Sequence, residues 1–295
     1  VYKRQMLSTG ELVPVGVGKK YAIATGNWNT TATWSTTSGG ASGAPVPVDG
    51  DTVIIERGYT VTVNTIDGRC GTLNLGSTFS NTSSGLLAFA ATGNPALVVS
   101  RNIYIGSSGN VGRTGNITFQ SGSSLTADSV ILGGTATTPA PGTITMTNGG
   151  TLTANALRVY TATGNTFTAG TGTVVLSGTG IYKMPATIFT AYNNLTINAG
   201  VTDSSGANFS VTGTFNVLGT FVPGATTHVF SGAGTLTGTG TVKTTLVSAT
   251  ALTTQYTITT KTLTNLTVDY AAAGNQSMFS GTYGNIVTSG TGTKT

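Results

Sequence analysis

The sequence predicts an all-β fold, a single-stranded parallel β-helix (β-solenoid) with three short strands per coil of about 20–27 residues. Three observations carry the prediction. The first is a self-match: residues 116–132, NITFQSGSSLTADSVIL, realign on residues 143–159, TITMTNGGTLTANALRV, after a shift of 27 residues. Ile117 falls on Ile144, Phe119 on Met146, Leu125 on Leu152, Val130 on Leu157 and Leu132 on Val159, so apolar positions stay apolar. One shift further back, LVVSRNIYIG sets Val98 under Leu125, Ile103 under Val130 and Gly106 under Gly133. The second is periodicity: Ile117 with Phe119 and Val130 with Leu132 are i, i+2 pairs, which share one face of a strand. The third is composition. The 295 residues include 62 Thr and 43 Gly, and only 7% are charged. Thr suits a half-buried pleated surface and Gly supplies turn conformations.

Each copy is too short and too polar to close a core alone. Stacked at a strand spacing of about 4.8 Å, Ile117 meets Ile144 and Val130 meets Leu157, and an apolar column is buried. A string of sandwich domains would need about 100 residues per domain, well beyond this period.

Taken in order, residues 1–5, VYKRQ, resemble a translated adapter scar rather than native sequence. Residues 6–26 are weakly patterned, with VPVGVG and YAIA as strand candidates. Their expected role is an N-terminal cap, or a strand exchanged with a neighbour. Residues 27–295 are expected to form one continuous solenoid: an opening module at 27–76, 27-residue repeats at 77–180 and shorter coils at 181–295. In the opening module TVII and YTVTV read as paired strands around the Arg57-Gly58 turn. The loop STFSNTSSG leads into LLAF and ALVV, and TATTPAPG at 135–142 leaves between copies. After 181, YNNLTINAG at 192–200 recurs as TNLTVDYAAAG at 264–274 and YGNIVTSG at 283–290. The closing TSGTGTKT is repeat-like, and the chain is read as a fragment of a longer protein.

Net charge is +5, with Lys and Arg scattered and no basic run that would engage nucleic acid. Cys70 is single, which excludes an intrachain disulfide and favours a small core residue over a reactive thiol. No apolar stretch approaches the length of about 20 residues that spans a membrane as a helix.

GNWNTTATWS followed by PVPVDGDTVIIERGYTVTVN and GTLNLGS resembles the G8 domain and the first module of bacterial β-helical surface proteins. The resemblance covers roughly 50 residues and implies extracellular, repeat-rich proteins, some tied to carbohydrate or matrix binding. Phrases such as FSVTGTFNVLGTFV are similar in texture to adhesin-like chains of the autotransporter and type IX secreted classes.

The candidate sites are few. No cofactor is expected apart from calcium, for which Asp49 and Asp51 are oxygen ligands of the right kind, although DGD is equally ordinary turn chemistry. Trp28 and Trp34 are the candidate carbohydrate-stacking pair, with Tyr160, Tyr182, Tyr192 and Tyr283 as further aromatics. Polysaccharide hydrolysis wants two carboxylates on one surface. The eight acids are Glu11, Asp49, Asp51, Glu56, Asp67, Asp128, Asp203 and Asp269, and Asp128 aligns with Asn155 and Arg101 rather than with another acid. His228, the one histidine, reads as an exposed strand-face residue. Thr-x-Thr begins at 60, 143, 151, 166, 235 and 257. An ice-binding array would need these on one face at one constant period, which their spacing does not keep.

The expected function is that of a non-catalytic, extracellular structural or adhesive rod on a bacterial surface, about 50 Å long at the strand spacing. Its partners would be surface glycans, or other copies of itself end to end as a filament. A carbohydrate-binding module and, further behind, a polysaccharide-degrading enzyme or an ice-binding protein are the alternatives.

Overall fold

A computed structural model describes residues 3–6, 12–15, 18–56, 58–76, 84–106, 114–134, 140–160, 163–178 and 180–295. Glu11, Arg57, the loop residues 77–83 and most of TATTPAPG lie outside the described residues. Lys3–Met6 and Leu12–Val15 form an antiparallel pair. The other named sheets are built from parallel strands, apart from the antiparallel Trp34–Ser35, and they stack in the order of a β-solenoid. The chain divides into two compact units, Val1–Thr153 with Arg158–Thr168, and Ala154–Leu157 with Ala169–Thr295.

In the first unit a coil has three short strands, as its i, i+2 patterning predicts. One face stacks Thr60–Val63, Gly85–Phe89, Gly115–Thr118, Gly142–Thr145 and Thr166–Thr168. The other two faces run together in Ala96–Ile105, whose halves pair separately with Gly68–Cys70 and Thr72–Leu75 and then with Ser124–Leu132. Val61, Leu87, Ile117 and Ile144 make one inward column, each at most 1% exposed. Phe89 stacks on Phe119 at 5.1 Å between centroids. Each such side chain, taken fully out of water, stabilises by roughly 1.5–3 kcal/mol.

The 27-residue shift holds where it was read: Ile117 pairs with Ile144. Two expectations are corrected. Leu97, not Val98, lies under Leu125, while Ile103 does lie under Val130. A bulge between Val99 and Asn102 adds one residue, so side chains before it change face relative to a constant shift. Val98 accordingly points outward at 37% exposure. TVII and YTVTV are not a hairpin either. Thr52–Ile55 pairs with Thr72–Leu75, and Thr60–Val63 pairs with Gly85–Phe89 in a different sheet. Alternation alone cannot tell a strand paired with its chain neighbour from one paired with the next coil.

On the Thr60–Val63 face the loops absorb unequal coil lengths. Val61, Leu87, Ile117, Ile144 and Phe167 share one register although successive members are 26, 30, 27 and 23 residues apart. The outward positions between them therefore also line up. One outward column is Thr60, Leu86, Asn116, Thr143 and Thr166; the other is Thr62, Ala88, Thr118, Thr145 and Thr168.

The second unit has shorter coils with three separate faces. Val174, Leu195, Phe215 and Leu236 stack at steps of 21, 20 and 21 residues, in line with the shortening read from sequence. The second face stacks Gly180–Lys183, Val201–Ser204, Thr220–Val222, Thr241–Thr244, Thr267–Tyr270 and Asn285–Val287. The third holds Ala191–Tyr192, Phe209–Val211 and Phe230–Ser231, with Tyr256 bridging on to Phe230. Aromatic rings fill the interior: Phe209, Phe215, Phe221, Phe230 and Tyr256 lie 4.7–6.4 Å from one another along successive contacts. The recurrence of NLTI as NLTV does not survive as equivalence. Asn194–Ile197 belongs to the first face and Thr267–Tyr270 to the second. Between them the chain makes an excursion through the short helix Ala251–Gln255, where fully buried Gln255 accepts from Thr245 N–H at 2.8 Å.

Candidate functional site

Trp28 and Trp34 are brought together by the 3-10 turn Thr31–Thr33. Their rings meet edge to face, 5.3 Å apart at 75°, and Trp34 Nε1–H donates to the Trp28 carbonyl at 2.8 Å. They are 2% and 0% exposed. Neither indole presents a face to solvent, so in this fold the pair serves as core for the opening coil and has no surface from which to stack on a sugar. Tyr192 is likewise buried, whereas Tyr160 is half exposed.

Asp49-Gly50-Asp51 is a turn, as DGD predicts. Asp51 is 2% exposed, and its two carboxylate oxygens each accept a backbone N–H, from Gly18 and from Val48, both at 3.1 Å. Asp49 Oδ1 accepts from Gly50 N–H at 2.9 Å and from Ser100 Oγ–H at 2.7 Å. Turn, preceding strand and a later coil are thus pinned by two acids. Glu56, also buried, accepts from the Ser38 hydroxyl. Among the described residues no three His, Cys, Asp or Glu side chains gather closely enough to hold a metal ion. Burial, and then the charges of Asp49 and Asp51, push the Cys70 thiol well up, and Cys70 pairs with Val99 as a fully buried core residue.

In the second unit His228 is half-buried rather than exposed. Ser205 Oγ and His228 Nδ1 are 2.8 Å apart. Gly224 N–H donates to Ser205 Oγ at 2.9 Å, and the same oxygen shares a hydrogen bond with the imidazole. Ser205 is fully buried, so this pair pins two turns and offers no nucleophile to a substrate. Lys243 Nζ donates to Asp269 Oδ2 at 2.8 Å, and Ser289 N–H and Oγ–H complete that carboxylate's shell. Burial acts to raise Asp269, but these hydrogen bonds and the Lys243 charge outweigh it and hold the carboxyl below its usual range.

Asp203 is the residue that sequence reasoning passed over. In VTDSS it occupies an inward position two after Val201, and it is 2% exposed. Its Oδ1 has no hydrogen-bond partner. Burial pushes the carboxyl up to about 7, against the lowering effect of the Ser204 and Met184 N–H groups. The neighbouring Tyr192 hydroxyl is raised by burial and by the Asp203 charge. Its signal was available as an acid at apolar parity.

The parallel, in-register coils define the chain as a β-solenoid repeat protein. Compared with protein-family models, curated proteins and solved structures, it matches none.

Proposed function

We propose that this chain is a non-catalytic structural segment of an extracellular bacterial surface protein, an adhesin or stalk whose partners are surface glycans. One observation supports the reading best. The interior of each unit is given to apolar and aromatic columns, while outward strand positions carry mainly Thr, Ser and Asn. Such a body resists local opening, and it offers long neutral faces for contact. The buried Trp pair moves the glycan contact away from residues 28 and 34. Beads coated with the chain should be retained under flow on glycan-coated glass better than bare beads. Equal retention with an intact far-UV spectrum would sink the adhesive role, and release of reducing ends from a polysaccharide panel would overturn the non-catalytic one.

A further inference from the structure

In the first unit, the Thr60–Val63 face differs from every other exposed surface of that unit. Seven of its ten outward positions in five successive strands are threonine, and the other three are Leu86, Ala88 and Asn116. None is charged and none is aromatic. The exposed charges on the unit's described strands, Lys19, Arg69, Arg101, Asp128 and Arg158, all stand on other faces. Enrichment for Thr as a strand former would apply to all faces alike, so it does not account for a charge-free one.

The face is also regular and stiff. Its side chains repeat at about 4.8 Å between strands and about 6.6 Å along a strand. At the last two strands hydroxyl meets hydroxyl, with Thr166 Oγ1–H donating to Thr143 Oγ1 at 3.0 Å. Beneath the outer four positions of each column, Val63, Phe89, Phe119 and Met146 are at most 3% exposed, which leaves the backbone little freedom to move. A ligand complementary to this surface must be uncharged, extended and hydrogen-bonding at two fixed repeats. It must also accept a methyl beside each hydroxyl. Water oxygens on the faces of ice repeat at distances of this size, and Thr supplies a hydroxyl to anchor one water and a methyl to order those around it. A crystalline polysaccharide has a similar flatness but is gripped through aromatic rings, which the face lacks.

We infer that the outer face formed by Thr60–Val63, Gly85–Phe89, Gly115–Thr118, Gly142–Thr145 and Thr166–Thr168 binds ice. Three of the six Thr-x-Thr segments, those at 60, 143 and 166, share this sheet because unequal loops restore their register, while those at 151 and 235 lie on another sheet. Ice binding here rests on the fold and is independent of the adhesive role.

The test is nanolitre osmometry on the full chain, with crystal shape recorded below the melting point. The wild type should hold ice growth over a measurable hysteresis gap and facet the crystals. Thr118→Lys and Thr145→Lys, each placing a flexible charge in mid-face, should abolish both effects while leaving the melting midpoint unchanged. Thr235→Lys, on the other unit, should leave them intact. Absence of hysteresis and faceting in the wild type overturns the inference, as does equal loss in the Thr235 variant. Sedimentation with crystalline cellulose or chitin that Thr145→Lys abolishes, without hysteresis, would assign the face to polysaccharide instead.

Discussion

Replacing Asp203 with asparagine should make the second unit more stable at neutral pH and leave it nearly unchanged near pH 4. The carboxyl titrates at about 7 in the fold, against an ordinary value of 3.8. A folded-state value above the unfolded one means that the fold favours the protonated acid. Its stabilising contribution is full below about 3.8 and is lost as pH rises through about 7. At about 1.36 kcal/mol per unit, the loss is about 4 kcal/mol as an upper bound. The amide introduced by Asp203→Asn cannot ionise, so the variant's advantage should grow across that window and then level off. Asp269 does not confuse the reading, because its lowered value places its own loss at lower pH, in the opposite sense. Both tryptophans lie in the first unit, so their fluorescence reports that unit. Urea unfolding followed by far-UV circular dichroism, with hydrogen exchange on residues 194–244, reads the second. Parallel pH profiles for wild type and variant between pH 4 and 8 would refute the reasoning, since the buried acid would then carry no proton linkage.

Phe221, fully buried with Phe215 and Phe230 at 5.1 and 4.9 Å, is the centre of the second unit's aromatic core. Phe221→Ala should cost about 3–5 kcal/mol by urea unfolding. Gly106 holds φ +82, and a Cβ there would stand 2.0 Å from the Ala140 carbonyl oxygen. Gly106→Ala should therefore destabilise the first unit by about 1–3 kcal/mol, read by tryptophan fluorescence. Millimolar calcium should leave the thermal midpoint unchanged, because both Asp51 oxygens already accept backbone N–H groups. A rise in midpoint that Asp49→Asn removes would assign the turn to metal.

Much of the fold was legible in advance because a strand's parity is local. Ile117 and Phe119 point inward whatever lies beside them, and a repeated parity pattern at a short period leaves parallel stacking as the way to bury it. The turn at Asp49–Asp51 and the core position of Cys70 follow from equally local chemistry. The sites were less legible. Whether Trp28 and Trp34 face inward or outward depends on a 3-10 turn that folds one against the other, and nothing in GNWNTTATWS states that.

What the sequence determined by itself is the class of fold, the 27-residue register of Ile117 on Ile144 and the identity of most inward positions. What only the tertiary structure decided is lateral alignment. One extra residue between Val99 and Asn102 moved Leu97 into the column meant for Val98. Loops of unequal length brought Thr60, Thr143 and Thr166 onto one sheet, and the excursion around Ala251–Gln255 carried NLTV onto a different face from NLTI. The physical reason is that parity is set by each residue's own backbone, whereas alignment depends on how many residues each corner takes up between strands. That number is settled by packing against the neighbouring coil.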